Sequence, residues 1–169
     1  MIVADFLRVR PAAASQLAAV ACSGSLPPGP RYSYRRECSL EPGDESCWIS
    51  TDIARGGVGW IVYALAAAGK RRVDRVGMSI PVLPHGPLSV RQFSLETAAA
   101  AEGPWSRHCD HSYTTLDLPG LQQFGVDPAI EAHFVRLVCT ENAVGLARTP
   151  SLGLWQFELS SVMLREAAG

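Results

Sequence analysis

The chain has 169 residues, 47% of them hydrophobic and 18% charged, with a formal net charge of −1. That composition describes a folded domain able to bury a full core without covalent staples, and it excludes a disordered chain. Near-neutral charge leaves no global basic field for nucleic acid, and no apolar run approaches the roughly 20 residues of a membrane-spanning helix.

In chain order, Ile2–Arg10 has the β-branched, alternating character of a strand, and Pro11 stops it. Ala12–Ala21 fits either a short helix or a second strand. Leu17–Cys22, behind Arg8 and Arg10, is too short an apolar core for a signal peptide, and Asp5 sits awkwardly in the charged region. Gly24–Pro30 is a loop with three prolines and two glycines. Tyr32–Tyr34 begins a short strand, Glu41–Glu45 makes an acidic turn, and Cys47–Thr51 returns to strand composition. Asp52–Gly59 is glycine-rich and leads into WIVYAL, Trp60–Leu65.

Val73–Ile80 alternates so that Val76, Met78 and Ile80 face inward. Pro81–Pro87 is a proline-rigidified loop. In Leu88–Glu96 the apolar set switches faces midway, which predicts a bulge. Tyr113–Leu118 pairs with a neighbour, and Phe124–Ile130 leads into AHFVRLVC, Ala132–Cys139. There Val135, Leu137 and Cys139 form the face that packs inside a sandwich. Leu152–Leu159, LGLWQFEL, is a last strand. Turn signals every 8–12 residues or so predict an all-β sandwich or barrel in a single domain, 1–169, and the runs Ala132–Cys139 and Leu152–Leu159 with Trp60–Leu65 favour an antiparallel sandwich.

Five cysteines, Cys22, Cys38, Cys47, Cys109 and Cys139, form an odd set without regular spacing and favour a reducing, intracellular compartment. His108-Cys109-Asp110-His111 is the one dense group of metal-ligand types. It lacks the second pair that zinc requires and reads as a solvated loop. His85 and His133 could serve a hydrolase, but no nucleophile elbow accompanies them. Gly56-Gly57-Val58-Gly59 lacks the lysine and helix of a phosphate loop. No catalytic residues are assigned, and a non-enzymatic binding module is expected.

Trp48, Trp60 and Trp155 sit in apolar strands and read as core, whereas Trp105 follows Gly-Pro and reads as a strand-edge anchor. Arg31, Tyr32, Tyr34, Arg35 and Arg36 have the residue types of binding hot spots, with solvated arginines around strand tyrosines as the plain alternative.

The order of features resembles a coagulation-factor 5/8 type C (discoidin) domain. It runs CSGS from Cys22, a proline loop with YSY, SLEPGDESCWIST, WIVYAL, VDRVGMSIP, a Phe-Val-Arg-Leu strand and a closing strand with Glu158. The resemblance covers about 20–162, leaving 1–19 as an N-terminal strand or extension. It implies a discoidin-like, galactose-binding-domain-like jelly-roll β-sandwich. Ala66 and Ala64 depart from the glycine and aspartate usual there.

Members of that family bind sugars, phospholipid headgroups or proteins through loops at one end, here Pro27–Tyr34, Asp52–Gly59 and Pro81–Pro87. Some hold calcium, for which Glu41, Asp44 and Glu158 would be the ligands. The expected binding residues are Arg31, Tyr32, Tyr34, Arg35, Arg55 and His85. The first expectation is docking on other proteins in a larger intracellular assembly, of ciliary or cytoskeletal type by analogy. The alternative is a carbohydrate- or phospholipid-binding module using the same loops. No cofactor is required unless calcium is bound.

Overall fold

A computed structural model describes residues 17–30, 33–40, 47–51, 57–65, 69–80, 89–116, 118, 120–143, 157–159 and 161–166. The expected strands at 2–10 and the residues 152–156 of LGLWQFEL, Trp155 included, lie outside these.

Alternating apolar character produces strands, and the strands pair antiparallel throughout the described residues. β1 (Ala18–Cys22), β3 (Gly59–Ala64), β9 (Phe134–Asn142), β5 (Val90–Ala98) and β6 (Ser106–Arg107) lie side by side, and β7 (Tyr113–Thr114) also pairs with β5. The second sheet is β11 (Ser161–Glu166), β4 (Arg71–Ile80) and β8 (Gly120–Ala132). β2 (Trp48–Ile49) pairs with β10 (Glu158–Leu159) apart from both. The stretch that fitted either helix or strand is strand where it is described, at β1. The expected strand start at Tyr34 is replaced by coil and a 3-10 turn, Arg36–Leu40.

The core fills the space between the sheets. Ile61 and Tyr63 of β3, Val76 and Met78 of β4, Phe93 and Leu95 of β5, and Val135, Leu137 and Cys139 of β9 are all buried in one cluster. Each large apolar side chain removed from water contributes roughly 1.5–3 kcal/mol. The inward set of β9 is the one its alternation predicts, and so are Val76 and Met78 of β4. The predicted bulge is present as well: the register against β9 shifts between Val90 and Gln92 and again before Phe93. Phe157 closes the core against Gly59, where a Cβ would stand 2.6 Å from its ring. Only glycine lets β3 approach that ring.

Three expectations are corrected. Leu152–Leu159, expected as the last strand, is strand at β10, and a further strand follows it. β9 pairs with β3 and β5, whereas β10 pairs with β2. The final strand is β11, which pairs with β4 from Ser161 to Glu166. His133 is not inside a strand; it is the single residue that turns β8 into β9. Trp60 is not core. It is half-buried on the outer face of β3, with the Arg136 guanidinium 5.7 Å from its ring centroid.

Candidate functional site

The pairing registers give the sandwich two different ends. At one, Ala64, Phe134 and Ala98 lie in line across β3, β9 and β5, and Arg71 lies opposite Ala132 in the other sheet. Short connections join the sheets here, through residues 65–70 and through His133 alone. At the other end, Gly59 meets Cys139, Val90 meets Asn142, and Ile80 meets Gly120. The chain between β1 and β3, between β4 and β5, and between β7 and β8 leaves from and returns to this loop end.

The described strand ends that flank Pro27–Tyr34, Asp52–Gly59 and Pro81–Pro87 lie at this end. Of the expected ligand residues, Arg31, Tyr32, Arg55 and His85 lie outside the described residues, as do Glu41 and Asp44. Tyr34 is half-buried, and its carbonyl accepts from the Ile49 N–H at 3.3 Å. Arg35 is exposed, its Nε donating to Ser33 Oγ at 3.2 Å. Arg36 is turned away toward β1, donating from Nε to the Ala19 carbonyl at 3.0 Å and pairing with Glu37. Glu158 opens β10 opposite Ile49.

The base of the first loop is tied down by polar contacts. Trp48 is fully buried, as its composition predicts, and its Nε1 donates to the Gly24 carbonyl at 3.1 Å. The Leu26 N–H donates to the Ile49 carbonyl at 2.9 Å. Ser23 binds Trp60 in both directions, its N–H reaching the Trp60 carbonyl at 2.9 Å and its Oγ accepting the Trp60 N–H at 3.0 Å. Ser50 and Phe157 make the same reciprocal pair at 2.9 and 3.0 Å.

Further buried polar groups lie along this end. Thr115 Oγ1 donates to the Val90 carbonyl at 2.7 Å. Asn142, opposite Val90, is fully buried. Ser89 Oγ and Arg91 Nε are buried without a hydrogen-bond partner. Most buried polar atoms in folded proteins are paired, and Asp74 Oδ1 of β4 is the third such atom without a hydrogen-bond partner among the described residues. Beside Ser89 and Arg91, Leu116 and Leu118 are more than half exposed, at 56% and 57%. Gln122 holds that turn, accepting from the Leu116 N–H at 2.7 Å and donating to the carbonyls of Leu116 and Leu118 at 2.8 and 3.2 Å.

Hydrogen-bonding groups beside apolar surface are the two requirements of sugar recognition, directional contacts to hydroxyls and packing on C–H faces. Sequence reading assigned Leu116 and Leu118 to a pairing strand and gave Ser89 and Arg91 no role, because burial of a polar atom leaves no trace in local composition.

The His108–His111 group does not assemble a metal site. Cys109 Sγ is 3.7 Å from His111 Nε2 and 3.9 Å from the Tyr113 hydroxyl, while His108 Nε2 donates to the Pro128 carbonyl at 2.6 Å. Among the described residues no three His, Cys, Asp or Glu side chains converge for a metal. Burial, and then the Cys109 contact, pushes the Tyr113 hydroxyl up from 10.0 to about 12. Among the described residues no helix is long and apolar enough to cross a membrane.

No protein-family model matches the sequence, and no curated protein matches it. Solved structures do. A CBM32 module of Clostridium perfringens, determined in complex with GalNAc-beta-1,3-galactose, superposes with a TM-score of 0.67 at 10% identity, covering 89% of this chain and 96% of its own. CBM32-3 from a family 31 glycoside hydrolase of C. perfringens gives 0.69 at 12%, covering 91% and 93%. The F5/8 type C domain of a Bacteroides fragilis protein gives 0.59 at 14%, covering 89% and 96%. The chain has the antiparallel jelly-roll sandwich shared by CBM32 modules and F5/8 type C, discoidin-like domains.

Proposed function

We propose that this chain is a non-catalytic carbohydrate-binding module that takes a galactose- or N-acetylgalactosamine-type terminal sugar at the loop end. Its support is the fold, whose solved neighbours include a module in complex with GalNAc-beta-1,3-galactose, together with the long connections that leave from and return to one end of the sandwich. Exposed Arg35 and half-buried Tyr34 border the same loops. Arg31, Tyr32, Arg55 and His85 complete the proposed binding set.

The comparisons favour this alternative over docking in a ciliary or other protein assembly, for which they offer nothing. Isothermal titration with GalNAc-β-1,3-galactose, galactose and glucose is the direct test. Saturable binding of the galactosides is expected, weakened about tenfold or more by Arg55→Ala or His85→Ala, each removing one directional contact. No binding to any glycan, together with co-purification of a stoichiometric protein partner, would return the function to protein docking. Repeating the titration in EDTA decides the role of calcium at Glu41, Asp44 and Glu158. Unchanged affinity and unchanged melting temperature would remove the ion from the account.

A further inference from the structure

We propose that the end of the sandwich opposite the loops carries a second, preformed pocket for a single sugar ring. Its ligand class is that of the loop end, but its location and its residues are independent of that reading. It is a depression open to solvent, with a volume of about 260 Å³. Pockets for drug-sized molecules run to roughly 300–1,000 Å³, so this one suits one small, compact ligand.

Four stretches of chain converge on it: the approach to β4, the end of β5, the turn into β6, and the β8–β9 corner. Its polar lining is Lys70, Thr97, Ser106, Glu131 and His133. An ammonium donates, a carboxylate accepts, and two hydroxyls and an imidazole do either. A ring of neighbouring hydroxyls, each both donor and acceptor, is the ligand that uses such a mixture in full. Ala98, Ala99 and Pro104 supply small apolar surface for its C–H face.

The wall of the pocket is held in place from behind. Trp105 stands between Pro104 and Ser106, and the Arg136 guanidinium lies 4.6 Å from its ring centroid. Arg136 Nε donates to Glu96 Oε2 at 2.6 Å, and the two form an ion pair with side chains only 22% exposed. Glu96 directly precedes Thr97 of the pocket, and Thr97 is in register with Ser106. Gly103 turns the chain at φ +93°, where a Cβ would stand 2.8 Å from Trp105 Cδ1. Any other residue would push Trp105 off Arg136. Such preorganisation lowers the ordering cost of binding a small ligand.

The test is an amide-resolved NMR titration of the full chain with galactose, N-acetylgalactosamine and glycine. Saturable shifts at Thr97, Ser106 and His133 are expected with the sugars, at roughly millimolar affinity. Glu131→Gln, an exposed site, should weaken them about tenfold by removing a charged acceptor. Ala99→Trp, also exposed, should abolish them by filling the cavity.

Silence at these amides, or shifts unchanged in Ala99→Trp, would overturn the pocket. Glycine binding as strongly as galactose would overturn its assignment to a sugar, since glycine carries both charges and no hydroxyls. The same spectra report Ser25, Thr51 and Ser89. A response there alone overturns the pocket and supports the loop-end reading. A response at the pocket alone does the reverse, and silence at both ends overturns both.

Discussion

The two ends of this sandwich solve opposite problems with the same strands. Where the connections are short, as at His133, side chains complete one another: Glu96 neutralises Arg136, and Arg136 stacks on both Trp60 and Trp105. Near the long connections Ser89 Oγ and Arg91 Nε are buried without hydrogen-bond partners, as is Asp74 Oδ1 in β4. Short turns leave the chain few conformations, so local contacts can be fully satisfied and a cavity can be fixed in advance. Long connections leave room for groups whose partners arrive from elsewhere, from a loop or from a ligand. One fold thus carries an end braced by an ion pair and two tryptophans and an end whose long connections hold few such contacts among the described residues.

The largest expected effect breaks the rigid end. Arg136→Ala strands the Glu96 carboxylate and unstacks two tryptophans, and should cost about 2–4 kcal/mol in urea unfolding. Arg136→Lys keeps the charge but not the planar stack and should cost roughly half as much. A loss below about 0.5 kcal/mol for the alanine variant would place the stability of that end in the strands instead.

The segment joining the two ends gives a pH signature. Tyr113 lies between β6 and β8, its ring stacked on Phe93 with centroids 5.2 Å apart. Its hydroxyl is raised from 10.0 to about 12, chiefly by burial. The unfolded chain therefore ionises first, so this contribution is complete below pH 10 and is lost as the pH climbs to about 12. Alkaline unfolding followed by circular dichroism should be shallower across that window in Tyr113→Phe. Burial also raises Tyr63 and Cys139, so part of the slope remains.

The smallest effect sharpens the contrast at the loop end. Ser89→Ala removes a buried hydroxyl with no partner, and should leave stability unchanged or raise it by up to about 1 kcal/mol. Galactoside affinity should be unchanged, since this hydroxyl has no surface to offer a ligand. A clear loss of stability would show that Ser89 is satisfied within the fold.

Legibility followed the range of the interactions. Val135, Leu137 and Cys139 were readable because a strand buried on one face writes a period of two. The bulge in β5 was readable because its apolar set changes faces within Leu88–Glu96. WIVYAL was misread at Trp60 because it is apolar on both faces, so alternation gives no sign of which is inner. The turn at Arg36–Leu40 has too few residues for any periodic signal. The loop-end residues Tyr34 and Arg35 were chosen by type; Ser89 and Arg91 were missed because their distinction is burial without a partner.

Composition and local pattern by themselves determined a mostly-β sandwich and the inward faces of β4 and β9. Only the tertiary structure decided that β9 pairs with β3 and β5, and that β11 follows β10. It alone brought Lys70, Thr97, Ser106, Glu131 and His133 to one cavity. The reason is physical: a strand's faces are set by its own side chains, whereas its partners are set by shape and hydrogen bonding between segments far apart in sequence.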